Sequence, residues 1–299
     1  NPLAETSARL LASGGKVGQS SRGMRLLPHD PAEYLRRLGE AGEGPCDIAG
    51  AALMLSALDH AGRDLDPYCA HLAEMAERAR LEAHLAPHAE DGARALAALL
   101  AGRYGYDGDR LAYDDPQNAD FMAVIDRRRG MPVALGILYV HAARAAGFEA
   151  AGLNSPGHFL LRIGLRDSEA LIDPFNGGAA IEREPLDTPP SMRAVAADEK
   201  EALRPQRDVE VLLRLENNLK LRALQAGEHV RALEIARRMV LIAPRHPDLW
   251  IDLARLNETA GVLGAAQKAY EACLTLARPG APLHNEAALG LQGLKRRLN

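Results

Sequence analysis

The sequence predicts an α+β core, helices plus a small antiparallel sheet, followed by an all-α segment of repeated helix pairs. Three observations carry this. Apolar residues make up 47% of the 299 positions and aromatics only 4%, a balance suited to helices packed through small aliphatic side chains rather than to a β-sandwich. Hydrophobic periodicity changes from helical to alternating after Gly147 and returns to helical from Arg207 onward. The last third also matches itself at an offset of 34 residues, aligning Ala226-Gly227 with Ala260-Gly261, Ala232 with Ala266 and Ala243 with Ala277.

Taken in order, residues 1–23 are rich in Ser, Gly and Ala without a compact apolar run and read as a disordered tail. A core domain is expected over residues 24–182, a Pro-rich and charged linker over 183–205, and helical repeats over 206–299. Two or three helices between Pro31 and Arg80 are marked by Ile48, Ala51, Ala52, Met54 and Leu55, then by Tyr68, Leu72 and Met75. One further helical pattern runs from Leu81 to Gly105, and the cluster Asp114-Asp-Pro-Gln-Asn118 is expected to cap a helix bearing Phe121, Val124 and Ile125. Gly130-Met131-Pro132 opens a long helix that Gly147 stops. Phe148–Leu153, His158–Ile163 and Ala170–Asp173 read as strands, the last closed by Pro174 and the turn Asn176-Gly177-Gly178. In the C-terminal segment, the offset with Gly between helices and Ala at the packing positions is the tetratricopeptide-like pattern, and Asn285–Leu298 is expected to supply a capping helix.

Composition narrows the function classes. A formal net charge of −4 with both signs interspersed offers no broad positive field, so nucleic acid is not an expected partner. Cys46, Cys69 and Cys273 lie far apart without a C-x-x-C, which indicates neither a disulfide framework nor a zinc knuckle and suggests a reducing, cytoplasmic setting. Every apolar run is broken by charge well short of the roughly 20 residues that span a bilayer, so no membrane segment is expected. No metal or cofactor is expected either: His84 and His88 have helical-pair spacing, but Pro87 disturbs that helix and no third ligand follows. The Arg127–Arg129 run reads as a helix end with internal ion pairs, and Trp250 as a packing residue.

Chemistry concentrates in three segments. Gly130-Met-Pro-Val-Ala-Leu, Ser155-Pro-Gly-His158-Phe and Ile172-Asp173-Pro set a helix N-terminus, a strand histidine and a strand-end aspartate in one unit. That is the order in which a dipole-activated nucleophile, its base and an orienting carboxylate would stand. Read singly, His158 is a strand histidine bonded to its neighbours and Asp173 a turn-former.

Arg127-Arg-Arg-Gly-Met-Pro-Val-Ala-Leu-Gly-Ile-Leu-Tyr139, Pro156-Gly-His-Phe-Leu-Leu-Arg162 and Ile172-Asp-Pro-Phe-Asn-Gly-Gly178 together resemble the SirB-type family of the transglutaminase-like superfamily. The resemblance extends from about Asp47, through Tyr113–Asn118, to Asn217-Asn-Leu-Lys220 and the tetratricopeptide-like tail. It implies a papain-like core in which His158 and Asp173 hold two catalytic positions, with Asn154, His158 and Asp173 available to a ligand. It also implies a nucleophile near Pro132–Ala134, where this sequence has neither thiol nor hydroxyl; a serine is usual in the family at the place of Ala134. The expectation is a non-catalytic protein that binds a protein or peptide partner, as a regulatory or scaffold component. The alternative is an amide hydrolase or peptidase whose nucleophile is Cys46, in Gly44-Pro-Cys-Asp47 at another predicted helix start, with His158 as base and Asp173 as orienter.

Overall fold

A computed structural model describes residues 30–155, 158–181 and 204–298. The expected tail over residues 1–23 and nearly all of the expected linker lie outside the described residues. The first helix, α1 (Pro31–Ala41), begins at Asp30, whose carboxylate accepts from the amides of Ala32 and Glu33. The second, α2 (Ile48–Ala57), is apolar all round and every one of its residues is buried, so it forms the centre of the helical layer. The Leu81–Gly105 pattern is not one helix. α3 (Asp66–Ala83) ends at His84, α4 (Ala89–Ala97) begins at His88 and runs on as a π-helical turn over Ala98–Arg103. Pro87 explains the break, because it has no amide to donate and its ring excludes the preceding residue from helical geometry.

A short parallel pair follows, β1 (Asp107–Gly108) with β2 (Arg129–Gly130). Between them the Asp-Asp-Pro-Gln-Asn cluster does not cap the next helix directly; Asp115 instead caps a 3-10 turn at Pro116–Asn118, and Asp120 caps α5 (Phe121–Arg127). α6 (Pro132–Ala145) has Pro at its first position and is stopped by Gly147 at φ 92°. Four antiparallel strands then stand in sequence order: β3 (Glu149–Ser155), β4 (His158–Leu165), β5 (Ser168–Asp173) and β6 (Ala179–Ile181). β6 went unread because three exposed residues carry no periodic signal.

Sheet and helix meet through alternation. Leu161 lies opposite Ile172 and Ile163 opposite Ala170, and this buried set, with Phe159, packs on α6. Gly136 makes the contact close: a Cβ there would sit 2.3 Å from the Phe159 ring. Where the chain re-enters, Pro205 bridges Leu153 and the amide of Gln206 donates to the Gly152 carbonyl at 2.7 Å, shielding the β3 edge.

The C-terminal segment consists of α7 (Asp208–Gln225), α8 (His229–Ile242), α9 (Pro247–Thr259), α10 (Leu263–Leu276) and α11 (Pro282–Leu298). The 34-residue offset is visible in the backbone. Gly227 and Gly261 end the first helix of each pair in the left-handed region, at φ 76° and 74°, and Ala232 and Ala266 are both fully buried at the next turn. No helix among the described residues is long and apolar enough to cross a membrane.

The helical segment is continuous with the core. Val209, Val211, Leu212 and Leu215 of α7 belong to the same buried cluster as α2, α6 and the sheet. Arg144 of α6 forms a two-pronged pair with Asp208, Nη1 to Oδ2 at 2.7 Å and Nη2 to Oδ1 at 2.8 Å. Arg238 of α8 holds Asp59, beyond the end of α2, at 2.7 Å. Glu216 of α7 is 1% exposed, and its Oε2 has no hydrogen-bond partner among the described residues.

Burial raises the Glu216 carboxyl from 4.5 to about 7, against the lowering pull of Arg238 and with Asp59 adding to the rise. The folded state therefore keeps a proton that the unfolded chain releases, and stability falls as pH rises between 4.5 and about 7. Glu216→Gln is expected to add about 1–3 kcal/mol at pH above 7 and to remove this fall. Urea unfolding of both proteins across the window checks it; the difference between them cancels the opposite slope from His71, whose ring is pushed down to about 4 by burial and by Arg128. Equal slopes would contradict the assignment.

Candidate functional site

The start of α6 is an unusually apolar helix N-terminus. Met131 occupies the cap position without a side-chain cap, Pro132 follows, and Val133 and Ala134 are 1% and 0% exposed. The loop before it is fastened: the Met131 amide donates to the Asn118 carbonyl at 2.9 Å, and Arg127 donates to Asn118 Oδ1 at 3.1 Å and to Asp109 Oδ2 at 2.8 Å. Two of the three residues in the Arg127–Arg129 run are thus engaged locally, Arg127 in an ion pair and Arg129 on the Gly105 carbonyl.

The β3–β4 hairpin carries the other expected residues. Ser155 pairs with His158 and Asn154 with Phe159, and the Phe159 ring lies on Gly136, two residues beyond Ala134. The opening of β4 therefore stands beside the first turns of α6. The side chains of Asn154 and His158 lie outside the described residues. Asp173 closes β5, and its carboxylate is engaged by its own turn: Oδ1 accepts from the amides of Phe175 at 2.9 Å and Asn176 at 3.3 Å, and Oδ2 from Asn176 Nδ2 at 2.6 Å. These bonds fix the carboxylate as the cap of the 3-10 turn Pro174–Asn176.

Two side chains that the sequence did not single out border this region. Tyr139 of α6 is fully buried, its hydroxyl has no partner among the described residues, and it lies directly under Gly178, where a Cβ would come within 2.5 Å of it. Only glycine fits there, both for that approach and for φ 77°. Burial, with the carboxylates of Asp107 and Asp173 adding to it, raises the phenol above its ordinary range. Arg214 of α7 places its guanidinium 5.2 Å from the Phe159 ring centre, and burial lowers its pKa. The Gly-Gly after Asp-Pro-Phe-Asn was the available signal for Tyr139; nothing local marks Arg214.

Cys46 stands elsewhere. Its amide donates to Asp208 Oδ2 at 2.8 Å, which places it with Arg144 at the C-terminal end of α6. Ala134 is ten residues from Arg144, about 15 Å along a helix. Arg144 also donates to the Ala150 carbonyl at 2.9 Å, near the far end of β3 from the Ser155–His158 pair. Burial, then the carboxylates of Asp208 and Asp47, push the thiol up to about 12. This setting opposes the nucleophile role considered for Cys46 on both position and charge. His84 and His88 cap different helices and do not share a helical face.

Comparison with known proteins agrees with this architecture. The model of the transglutaminase-like superfamily matches residues 66–217, and that of a tetratricopeptide repeat matches residues 219–289. A UPF0162 protein of Xylella fastidiosa is 31% identical over 159 residues, covering 52% of this chain and 57% of that protein. One from Vibrio cholerae is 35% identical over 105 residues, 35% of this chain and 34% of that protein. The mouse F-box only protein 21 is 34% identical over 68 residues, 23% of this chain and 11% of that protein. The matched stretches thus span about half or less of these relatives.

The Cys46 environment gives a direct expectation. Iodoacetamide should alkylate Cys46 slowly from about pH 5 to about pH 9, at a rate unchanged by His158→Ala. Peptide mass spectrometry checks this. Fast alkylation that His158→Ala abolishes would restore the nucleophile role.

Proposed function

Because the chain belongs to the transglutaminase-like superfamily and carries a tetratricopeptide repeat, we propose that it works by binding a protein or peptide rather than by acyl transfer. Ala134 is the observation that carries this reading. A thiolate or alkoxide at the helix start would gain from the positive helix end and from a neighbouring imidazole; a fully buried methyl group cannot attack a carbonyl. Within the superfamily, the Arg127–Tyr139 and Ile172–Gly178 motifs support a SirB-type assignment. His158 and Asp173 are then inherited positions put to binding, with Asn154 beside them. An extended peptide lying across the opening of β4 would offer its amide groups to these three residues. Tetratricopeptide repeats generally mediate protein interactions, and the repeat gives the molecule a second surface for the same partner, in a scaffold or regulatory role inside the cell.

A display library of random peptides, selected on the immobilised full-length protein, tests the proposal. Enrichment of a shared motif is expected, with affinity about tenfold weaker in His158→Ala and Asp173→Asn. The second substitution keeps a side chain able to cap the turn. No enrichment, or enrichment that neither substitution alters, would overturn the proposal.

A further inference from the structure

A cleft lies away from the His158 and Asp173 positions, where the start of α3 meets the end of α5. Its volume is about 450 Å³, within the range of roughly 300–1,000 Å³ that small ligands occupy. Arg128 forms one wall in an unusual posture. It caps α5 in the left-handed region, φ 57° and ψ 25°, a conformation that a side chain as large as arginine rarely adopts. Its guanidinium is braced by neutral groups: Nη1 donates to the Tyr106 hydroxyl and, at 2.6 Å, to His71 Nε2. The Tyr106 and Tyr104 rings lie 4.7 Å and 6.0 Å from it. Tyr106 Oη and His71 Nε2 are themselves 2.8 Å apart. His71 Nε2 accepts from Arg128 only in a neutral ring, consistent with the lowering of its pKa to about 4.

No carboxylate pairs with Arg128 among the described residues, and its Nε and Nη2 donate to none of them. The other charges in the cleft are already engaged. Arg63 bonds Asp126 Oδ2 at 2.6 Å, the Tyr68 hydroxyl donates to the same oxygen at 2.9 Å, and Asp64 accepts from the Asp66 amide at 3.0 Å. Pro67 and Ile125 supply apolar wall. The lining therefore holds two arginines against two aspartates, with one guanidinium edge still open.

We propose that this cleft binds a single carboxylate carried on a peptide, with Arg128 as its fork. The planar, two-pronged edge of arginine matches a carboxylate. A phosphate dianion would overload a lining whose charges already balance. The apolar wall receives the side chain next to the carboxylate, which is either the terminal carboxylate of a peptide or an acidic side chain within one. The site shares no residue with the His158 and Asp173 positions, so it stands or falls separately from the function proposed above.

The test titrates the isotope-labelled full-length protein with N-acetyl-leucine, N-acetyl-leucinamide and the α-amide of N-acetylglutamic acid, following the Arg128 Nε–H signal by NMR. A saturable shift with at least one of the two carboxylates is expected, and none with leucinamide; the tighter carboxylate names the source. Arg128→Lys, which keeps the charge but loses the fork, should weaken binding about tenfold. Arg128→Gly suits the left-handed backbone and keeps the fold while abolishing binding; for both variants binding is read from backbone amides lining the cleft. No saturable shift, equal binding of leucinamide, tighter binding of inorganic phosphate, or unchanged binding by Arg128→Gly would each overturn the proposal.

Discussion

The pairing of Arg144 with Asp208 is the contact on which the rest of the molecule hangs. Asp208 is 5% exposed, and its two oxygens receive both terminal nitrogens of Arg144 and the amide of Cys46. Arg144 turns its remaining donors on the Ala150 carbonyl. One ion pair thus joins the entry to α2, the C-terminal end of α6, the start of β3 and the first turn of α7. A pair with one buried partner is costly to desolvate and contributes little as a pair. Removing Arg144, however, leaves the buried Asp208 carboxylate without its cation, and because Arg144 is itself partly exposed the loss falls at or below the roughly 3–5 kcal/mol of a fully buried pair. Geometry is what it supplies: α7 is held against the sheet, and the repeat is built outward from α7. The match to the transglutaminase-like superfamily likewise runs into α7, to residue 217.

The same arrangement separates the two ends of α6 chemically. At the C-terminal end, burial and then neighbouring carboxylates suppress the Cys46 thiol. The N-terminal end has the favourable dipole, the adjacent hairpin and the Asp173 turn, but nothing nucleophilic at Ala134. The thiol that Asp208 ties to α6 therefore lies at the end where it is least reactive. Tyr139, two turns along from Pro132 and under Gly178, keeps a buried hydroxyl against the Asp173 turn, so the region retains polar character beside Ala134.

Much of this was legible because the signals are local. Pro132 and Gly147 bound α6 in sequence and structure alike, and the strand at Ala170–Asp173 needed only a residue or two at its start. The 34-residue offset reappears as paired left-handed glycines and paired buried alanines. What stayed hidden depends on residues far apart in the chain. Arg144 and Asp208 are 64 positions apart, and Arg214 meets Phe159 only because α7 returns to the sheet. The break at Pro87 was readable in principle, since the same proline had already disqualified the histidine pair, but the leucines on either side kept an unbroken helical rhythm. Asp173 was readable as a turn-former and is one; its other role depends on an imidazole that lies outside the described residues.

The most direct measurement of the central claim is amide turnover by the full-length protein. A peptide mixture containing glutamine and ordinary backbone amides is incubated with the wild type and with His158→Ala, while ammonia release and new termini are followed. The account predicts that both proteins match the buffer blank, because Ala134 offers no nucleophile. Turnover by the wild type that disappears in His158→Ala would contradict it and would require an attacking group supplied from elsewhere.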